Sequence, residues 1–180
     1  MIGRALGLRV ILHHHGADFP GLVTRAGALR KGLAALWLRA PHRHLALGGE
    51  TRIALRALGV APDRITILPN ALPGEPAPPR RRRPGPWRLL FLGEVSLRKG
   101  APATLEALDR LARRGTPYQA RIVGDGPELA ALRREIQARG LADRVEAPGP
   151  AEPAEARRAL EDADLLLHPS LREGLPMTLL

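Results

Sequence analysis

The sequence of 180 residues is long enough for one ordinary domain or for parts of two. Hydrophobic residues make up 44% of it, which permits a buried core, and the absence of Cys excludes disulfide bonds and thiolate metal sites. Residues 1–79 carry +6 of the net charge of +10, residues 80–88 carry +5 and residues 89–180 carry −1, so a phosphate-rich partner is expected at the first half or at the joint.

The cellular location can be predicted from what the sequence lacks. It contains no Cys and no apolar run long enough to span a bilayer. The prediction is therefore a cytoplasmic protein.

The first predicted strand, residues 8–14, leads into a histidine-rich loop. Because neighbouring side chains on a strand point to opposite faces, His13 and His15 can converge while His14 cannot join them. No nearby Cys or Glu completes a zinc site, so no metal is expected here. Gly16 and Asp18 follow in the loop, which is a strand-to-loop transition.

Residues 22–39 have the pattern of a basic amphipathic helix. Their apolar side chains fall on one face and their basic ones elsewhere, the apolar ones being Leu29, Leu33, Leu36 and Trp37. Such a helix can lie on an anionic membrane surface. The alternative is that this face packs against the sheet of its own domain.

Further predicted elements lead to a proline-rich joint. Residues 42–47 and 64–68 are predicted strands, and residues 51–58 are a predicted helix. Residues 73–86 hold six Pro around four consecutive Arg, which excludes a helix or a central strand and predicts an interdomain linker.

The second half alternates strictly between strands and helices. This alternation predicts a doubly wound parallel sheet. The predicted strands are residues 87–92, 120–123, 144–147 and 164–168, the third being edge-like and the last buried, and the predicted helices are residues 103–114, 128–139 and 152–162.

Two loops of this half have the composition of ligand sites. Arg98 and Lys99 end a Gly-bounded loop between a strand and a helix, where cations could clamp a diphosphate, although a plain loop with two surface cations is the alternative. Glu173 and Gly174 follow the last strand, where a carboxylate beside free amides could hold sugar hydroxyls. A solvated turn is the alternative there.

Several short motifs resemble those of glycosyltransferase family 4, whose members are retaining enzymes of the GT-B fold. The strongest resemblance lies in residues 168–170 with 173–176, and it is supported by residues 15–19, 69–70, 99–100 and 124–127. It implies an α/β, GT-B-like fold made of parts of two Rossmann-like doubly wound domains that face a cleft. Residues 1–72 would be a partial acceptor-side domain, residues 73–86 a linker and residues 87–180 a partial nucleotide-sugar-binding domain.

The resemblance also implies roles for individual residues. His15 and Glu173 would be catalytic, and His15, Gly16 and Asp18 would lie on the acceptor side. The donor would be bound by Arg98, Lys99, Gly126, Glu173 and Gly174. Glu94 stands where the family has Arg, which is a departure at one diphosphate contact. Neither a cofactor nor a metal is expected.

The implied function is transfer of a sugar from a nucleotide-sugar to a hydroxyl acceptor with retention. The acceptor would be a glycan, a lipid-linked glycan or a polysaccharide precursor, with peripheral contact at the inner, anionic membrane face. The family pattern continues to a second Glu beyond Leu180, so the chain is expected to be a fragment that is inactive alone.

Two alternatives to this function remain. One is a sugar epimerase of the same fold. The other is a basic nucleic-acid-binding module, although the aromatic content of 3% offers few platforms for base stacking. No nucleic acid is therefore expected as a partner.

Overall fold

Two separate parallel sheets organise the chain. The structure is a computed structural model that describes residues 6–16, 19–71 and 82–179. It divides into two units: Met1–Gly74 with Arg172–Leu180 form unit 1, and Glu75–Leu171 form unit 2. None of the described helices is both long and apolar enough to cross a bilayer.

Unit 1 contains a three-stranded sheet in the order β1-β2-β3, in which all pairs are parallel. Its strands are β1 (Ile11–His14), β2 (Arg43–Ala46) and β3 (Ile65–Ile67), and its helices are α1 (Phe19–Arg25), α2 (Ala28–Leu38) and α3 (Gly49–Ala57), with a short 3-10 helix at Pro62–Arg64. A small apolar core joins sheet and helices and consists of Leu38, Ala46, Leu55, Leu58 and Val60.

The single helix predicted for residues 22–39 is two helices. Gly27 has extended backbone and caps α2, so the chain changes direction between α1 and α2. The predicted apolar face is 50–78% exposed in its members Leu29, Leu33, Leu36 and Trp37. Because α2 packs through Ala34, Ala35 and Leu38 instead, the alternative that the apolar face packs against its own sheet is wrong.

Unit 2 contains a four-stranded parallel sheet in the order β6-β5-β4-β7. Its strands are β4 (Trp87–Leu92), β5 (Tyr118–Val123), β6 (Val145–Gly149) and β7 (Leu165–Leu166), and its helices are α4 (Ala101–Arg113), α5 (Leu129–Ala138) and α6 (Pro153–Asp162). The predicted edge position of β6 is confirmed.

Both faces of the second sheet are covered by helices. Leu89 and Phe91 of β4 pack with a core that includes residues of α4 and α5, while Leu90 packs with Ala159 of α6. Burying one Leu or Phe side chain contributes about 1.5–3 kcal/mol. The alternation along β4 thus produces the doubly wound arrangement that the sequence predicted.

β7 differs from its prediction as a buried strand. It pairs with β4 on one side, no other described strand pairs with it, and Leu165 is half exposed. Its start is fixed by Asp164, whose carboxylate accepts hydrogen bonds from the guanidinium and the backbone N–H of Arg88. These bonds lower the pKa of Asp164 to about 2.

The predicted domain boundaries differ from the two units at the end of the chain. Residues 172–180 were assigned to the second domain, but they group with unit 1. One contact there is the amide of Asn70, whose Nδ2 donates to the carbonyl oxygen of Leu175 at 3.2 Å. Most of the predicted linker, residues 73–81, lies outside the described residues, and Arg82 stacks on the Trp87 ring of unit 2 at 4.1 Å.

Candidate functional site

The order of the strands in unit 2 reverses at β4. The chain runs from β4 to β5 and β6 on one side and then returns to β7 on the other side. In doubly wound sheets, ligands bind outside the carboxyl ends of the strands at such a point. The loops there are residues 93–100 after β4 and residues 167–171 after β7.

These two loops contact each other directly. The carbonyl oxygen of Arg98 accepts hydrogen bonds from Leu171 N at 2.9 Å and from Ser170 Oγ at 3.3 Å. Gly100 has φ +77°, and a Cβ atom there would overlap the carbonyl oxygen of Pro169. Glycine is thus required at this position both by its backbone and by the close approach of the second loop.

The two predicted diphosphate-binding cations lie in this loop pair. Arg98 forms an ion pair with Glu94 at 2.6 Å, in which both side chains are about half exposed. Exposed ion pairs contribute only about 0–1 kcal/mol, so Arg98 can exchange this partner for another anion. The backbone N–H of Lys99 donates to Ser96 Oγ at 3.3 Å, which fixes the main chain beside Arg98.

Gly126 has a packing role that the sequence did not reveal. Its φ is +158°, and a Cβ atom there would overlap the backbone of Val95 in the β4 loop. Val95 N also donates to Asp125 O at 2.8 Å, and Glu128 N donates to Val95 O at 3.1 Å. This glycine allows the β5 loop to support the β4 loop, while its contact with a donor stays a prediction.

Four histidines of unit 1 form two separate pairs. His15 Nε2 lies 2.9 Å from His13 Nδ1, with 3.9 Å between ring centroids, so the predicted convergence of these two side chains is confirmed. On the other face, His14 Nε2 lies 3.0 Å from His44 Nδ1.

The buried pair is held in one tautomeric state. His44 Nε2 lies 3.0 Å from the carbonyl oxygen of Leu38, which can only accept, so this nitrogen donates and His44 Nδ1 accepts from His14. Burial, with the nearby His44 and His13 as lesser causes, lowers the pKa of His14 to about 4, and burial also lowers the pKa of His44. Both rings are therefore neutral at pH 7.

A pocket of about 240 Å³ lies at the carboxyl edge of the first sheet. Gly16 reaches it after β1, and α3 begins beside it after β2. The structure thereby brings together three of the predicted site residues, namely Gly16, Glu173 and Gly174, and it adds Gly48, Gly49, Glu50 and Thr51, which sequence reasoning had not assigned to a site. A Gly-Gly-Glu run between a strand and a helix was the signal that could have identified this group.

Of the other predicted site residues, one lies in unit 1, three lie in unit 2 and one lies outside the described residues. His15 is exposed and directly precedes Gly16. Asp18 lies outside the described residues. Arg98, Lys99 and Gly126 belong to unit 2. In the described parts of the chain, no group of three or more His, Asp or Glu side chains is arranged to hold a metal ion.

Comparison with known proteins gives a family match over more than half of the chain. Residues 77–180 match the family model of glycosyl transferases group 1. The amylovoran biosynthesis glycosyltransferase AmsK of Erwinia amylovora is 28% identical over 186 residues, which cover 99% of this chain and 42% of AmsK. The chain thus spans about two fifths of the length of this relative. Neither the epimerase nor the nucleic-acid-binding alternative is favoured by these matches.

Two solved structures that contain UDP share the fold. Anabaena HepE in complex with UDP and glucose superposes over 93% of this chain and 48% of its own, with a TM-score of 0.66 and 17% identity. TarM of S. aureus, in a complex that contains UDP, covers 86% of this chain and 30% of its own, with a TM-score of 0.70 and 17% identity. These likenesses confirm the predicted α/β, GT-B-like fold.

Proposed function

Since this chain belongs to the glycosyl transferases group 1 family, we propose that it transfers a sugar from a nucleotide-sugar donor to a hydroxyl acceptor. One observation carries the proposal. The loop that bears Arg98 and Lys99 lies at the carboxyl end of β4, where the strand order reverses, and the β7 loop is hydrogen-bonded to it. A diphosphate placed there would meet two cations on a rigid backbone.

The roles of the donor-side residues follow from charge. Lys99 and Arg98 neutralise the leaving diphosphate, so that no metal is needed for this step. Glu94 stands where the family pattern has Arg, so Arg98 is the nearby cation. Arg98 therefore interacts both with Glu94 and with the diphosphate. Glu173 accepts hydrogen bonds from sugar hydroxyls, and the amide of Gly174 donates to the donor.

The acceptor-side residues lie after β1. His15 contacts the transferred sugar or the acceptor hydroxyl, and Gly16 and Asp18, which follow it in the sequence, belong to the same acceptor side. The transfer retains the anomeric configuration, and an NMR assignment of an inverted product would contradict this part of the proposal. The names of AmsK and HepE support a UDP-sugar donor and a polysaccharide precursor as acceptor, since AmsK is named for amylovoran biosynthesis and HepE was solved with UDP and glucose.

A membrane role for α2 also belongs to the proposal. Its apolar face of Leu29, Leu33, Leu36 and Trp37 is exposed, and residues 19–39 contain four basic side chains and no acidic one. This combination favours peripheral binding to an anionic membrane, at which a lipid-linked acceptor would be met.

The donor site is tested by thermal unfolding in the presence of UDP, ADP and GDP. A nucleotide at a hundredfold excess over its dissociation constant should stabilise the protein by about 2.7 kcal/mol. We expect one nucleotide to do so, and we expect Lys99→Ala to abolish its effect.

The matched control is Arg134→Ala, which removes an exposed cation from α5 at the same cost in net charge. It should leave the stabilisation intact. A cooperative transition that none of the three nucleotides shifts would contradict the proposed donor site.

A further inference from the structure

Helix α3 begins at the pocket of unit 1 without a side-chain cap. Its N-cap residue is Gly48, so no capping side chain accepts a hydrogen bond from the N–H groups of the first turn, which belong to Gly49, Glu50 and Thr51. A Cβ atom added at Gly48 or Gly49 would meet no other described atom within 4 Å, so the main chain is open there. Because all four residues line the pocket, the first turn offers hydrogen-bond donors to a molecule inside it.

Thr51 gives a second, independent indication of a ligand. This residue is only 7% exposed, and it lines the pocket. Within the described ranges of the chain, its hydroxyl neither donates nor accepts a hydrogen bond. Buried hydroxyls are nearly always hydrogen-bonded, because leaving one without a partner is unfavourable. A polar group of a molecule in the pocket would supply the partner that Thr51 lacks.

The side chains that carry charge in this pocket are acidic. Glu50 and Glu173 line it, and its described lining includes no cationic side chain. Glu50 belongs to the first turn of α3, where the helix dipole stabilises a carboxylate, and it forms no ion pair with another described residue. A molecule in the pocket therefore meets N–H donors of the main chain together with two carboxylates.

This combination of groups suits a neutral molecule with several hydroxyl groups. The two carboxylates would repel a phosphate or a carboxylate of the ligand. An ammonium group would be attracted by them, but it has no lone pair to accept hydrogen bonds from the N–H groups. A hydroxyl group can donate to a carboxylate and accept from an N–H group at the same time. A neutral sugar thus satisfies both kinds of group in the pocket.

We propose that this pocket holds the transferred sugar of the donor, that Glu50 restricts this sugar to neutral ones, and that the Thr51 hydroxyl bonds one of its hydroxyl groups. This inference rests on the proposed transferase function, in which Glu173 contacts the donor sugar, and it names the class of that sugar. A uronic acid would bring a third carboxylate into the pocket, where like charges repel. Glu50 and Thr51 act in binding and specificity and take no part in breaking the donor bond.

The test compares UDP-glucose with UDP-glucuronic acid in calorimetric titrations, because these probes differ only at C6 of the sugar. The net charge of +10 of the chain by itself favours the more anionic probe. We nevertheless expect UDP-glucose to bind at least about tenfold more tightly, because of the repulsion between carboxylates in the pocket. Glu50→Gln should reduce this preference at least about threefold, mainly by improving the binding of UDP-glucuronic acid.

The role of Thr51 is tested with two substitutions. Thr51→Val removes the hydroxyl and keeps the shape of the side chain. It should weaken the binding of UDP-glucose about fivefold, as one lost hydrogen bond does, and leave the binding of UDP unchanged because UDP lacks the sugar. Thr51→Ser keeps a hydroxyl and should keep the affinity. An unchanged affinity of Thr51→Val for UDP-glucose, or an equal loss for UDP, would overturn the assignment of Thr51.

Glu155→Gln is the matched control, since Glu155 is also an acidic residue in the first turn of a helix, α6 of unit 2. It should leave the preference for UDP-glucose unchanged. Equal affinities of the two sugar probes, or a preference for UDP-glucuronic acid, would overturn the inference. The same holds for a preference that Glu50→Gln does not change, or that Glu155→Gln reduces equally.

Titration of UDP into the same samples separates this inference from the proposed function. If UDP binds in a way that requires Lys99 but UDP-glucose has no advantage over UDP-glucuronic acid, the inference fails alone. If UDP and both of its sugar conjugates fail to bind, the UDP-sugar donor of the proposed function fails with it.

Discussion

The histidines at the end of β1 and directly after it show what a local pattern can predict and what it cannot. Alternation along a strand was enough to predict that His13 and His15 converge. The partner of His14 could not be predicted, because His44 comes from β2 and depends on the register in which His14 pairs with Ala46. Contacts between strands are set by the tertiary structure, so the buried imidazole pair became visible only in the fold.

This pair makes the stability of unit 1 sensitive to acid. The pKa of His14 is about 4 in the folded state, below its ordinary value of 6.5, so the unfolded state binds the proton first as the pH falls. The free energy of unfolding should therefore decrease between pH 6.5 and pH 4, by up to about 3 kcal/mol for His14, and His44 should add to this decrease.

The measurement is urea denaturation at several pH values, followed by tryptophan fluorescence. Trp87→Phe serves as the background, because Trp37 then remains as the one tryptophan and reports on unit 1. His14→Gln in this background should flatten the dependence above pH 4.5. An equally steep decrease in that variant would show that other groups cause it.

Among the elements, those of unit 2 were predicted to within two residues at each end. Their sequences carry regular periodicities with Gly or Pro between them, and the buried faces agree with those periodicities. In unit 1, the pattern of residues 22–39 predicts one amphipathic helix and leaves open whether its apolar face meets a membrane or packs against its own sheet. The pattern could not show that small side chains, Ala34 and Ala35, would make the contact with the core.

The contact between the loop before α4 and the β7 loop can be tested by substituting Gly100. Gly100→Ala should destabilise unit 2 by more than the ~1 kcal/mol expected for left-handed backbone alone, because the new Cβ also overlaps the Pro169 carbonyl. Displacing the β7 loop should weaken nucleotide binding at least about tenfold.

Gly115→Ala is the control at the other end of α4. Its φ is +68°, but no other atom lies within 4 Å of the added Cβ. It should cost only the backbone term, about 1 kcal/mol, and leave nucleotide affinity unchanged. Equal effects of the two variants on stability and binding, in denaturation and titration experiments, would contradict the role given to the loop contact.

At the scale of the whole molecule, the sequence predicted two domains joined by a linker, and the uneven distribution of charge was counted from the sequence itself. It could not predict that residues 172–180 group with unit 1, because these residues follow the last strand of unit 2 directly in the sequence. The sequence also did not show which surface of the basic first half would bind a partner. The exposed apolar face of α2 is the candidate surface.

Binding to vesicles tests that surface. The protein should co-sediment with vesicles of phosphatidylcholine mixed with phosphatidylglycerol and much less with phosphatidylcholine alone, because basic residues near an anionic surface each contribute about 1 kcal/mol. Leu33→Asp with Trp37→Asp should weaken this binding at least about tenfold, whereas Ile53→Asp should not. Equal binding to both kinds of vesicle would contradict the electrostatic part of the proposal.

Unit 1 is made of two segments that are far apart in the sequence, and this affects the order in which the chain folds during translation. A ribosome releases residues 1–74 first, then the whole of residues 75–171, and only afterwards residues 172–180. Because domains fold as units while the chain emerges, unit 2 can acquire its structure before residues 172–180 of unit 1 exist. The pocket that includes Glu173 and Gly174 is therefore assembled only after residues 75–171 have been synthesised.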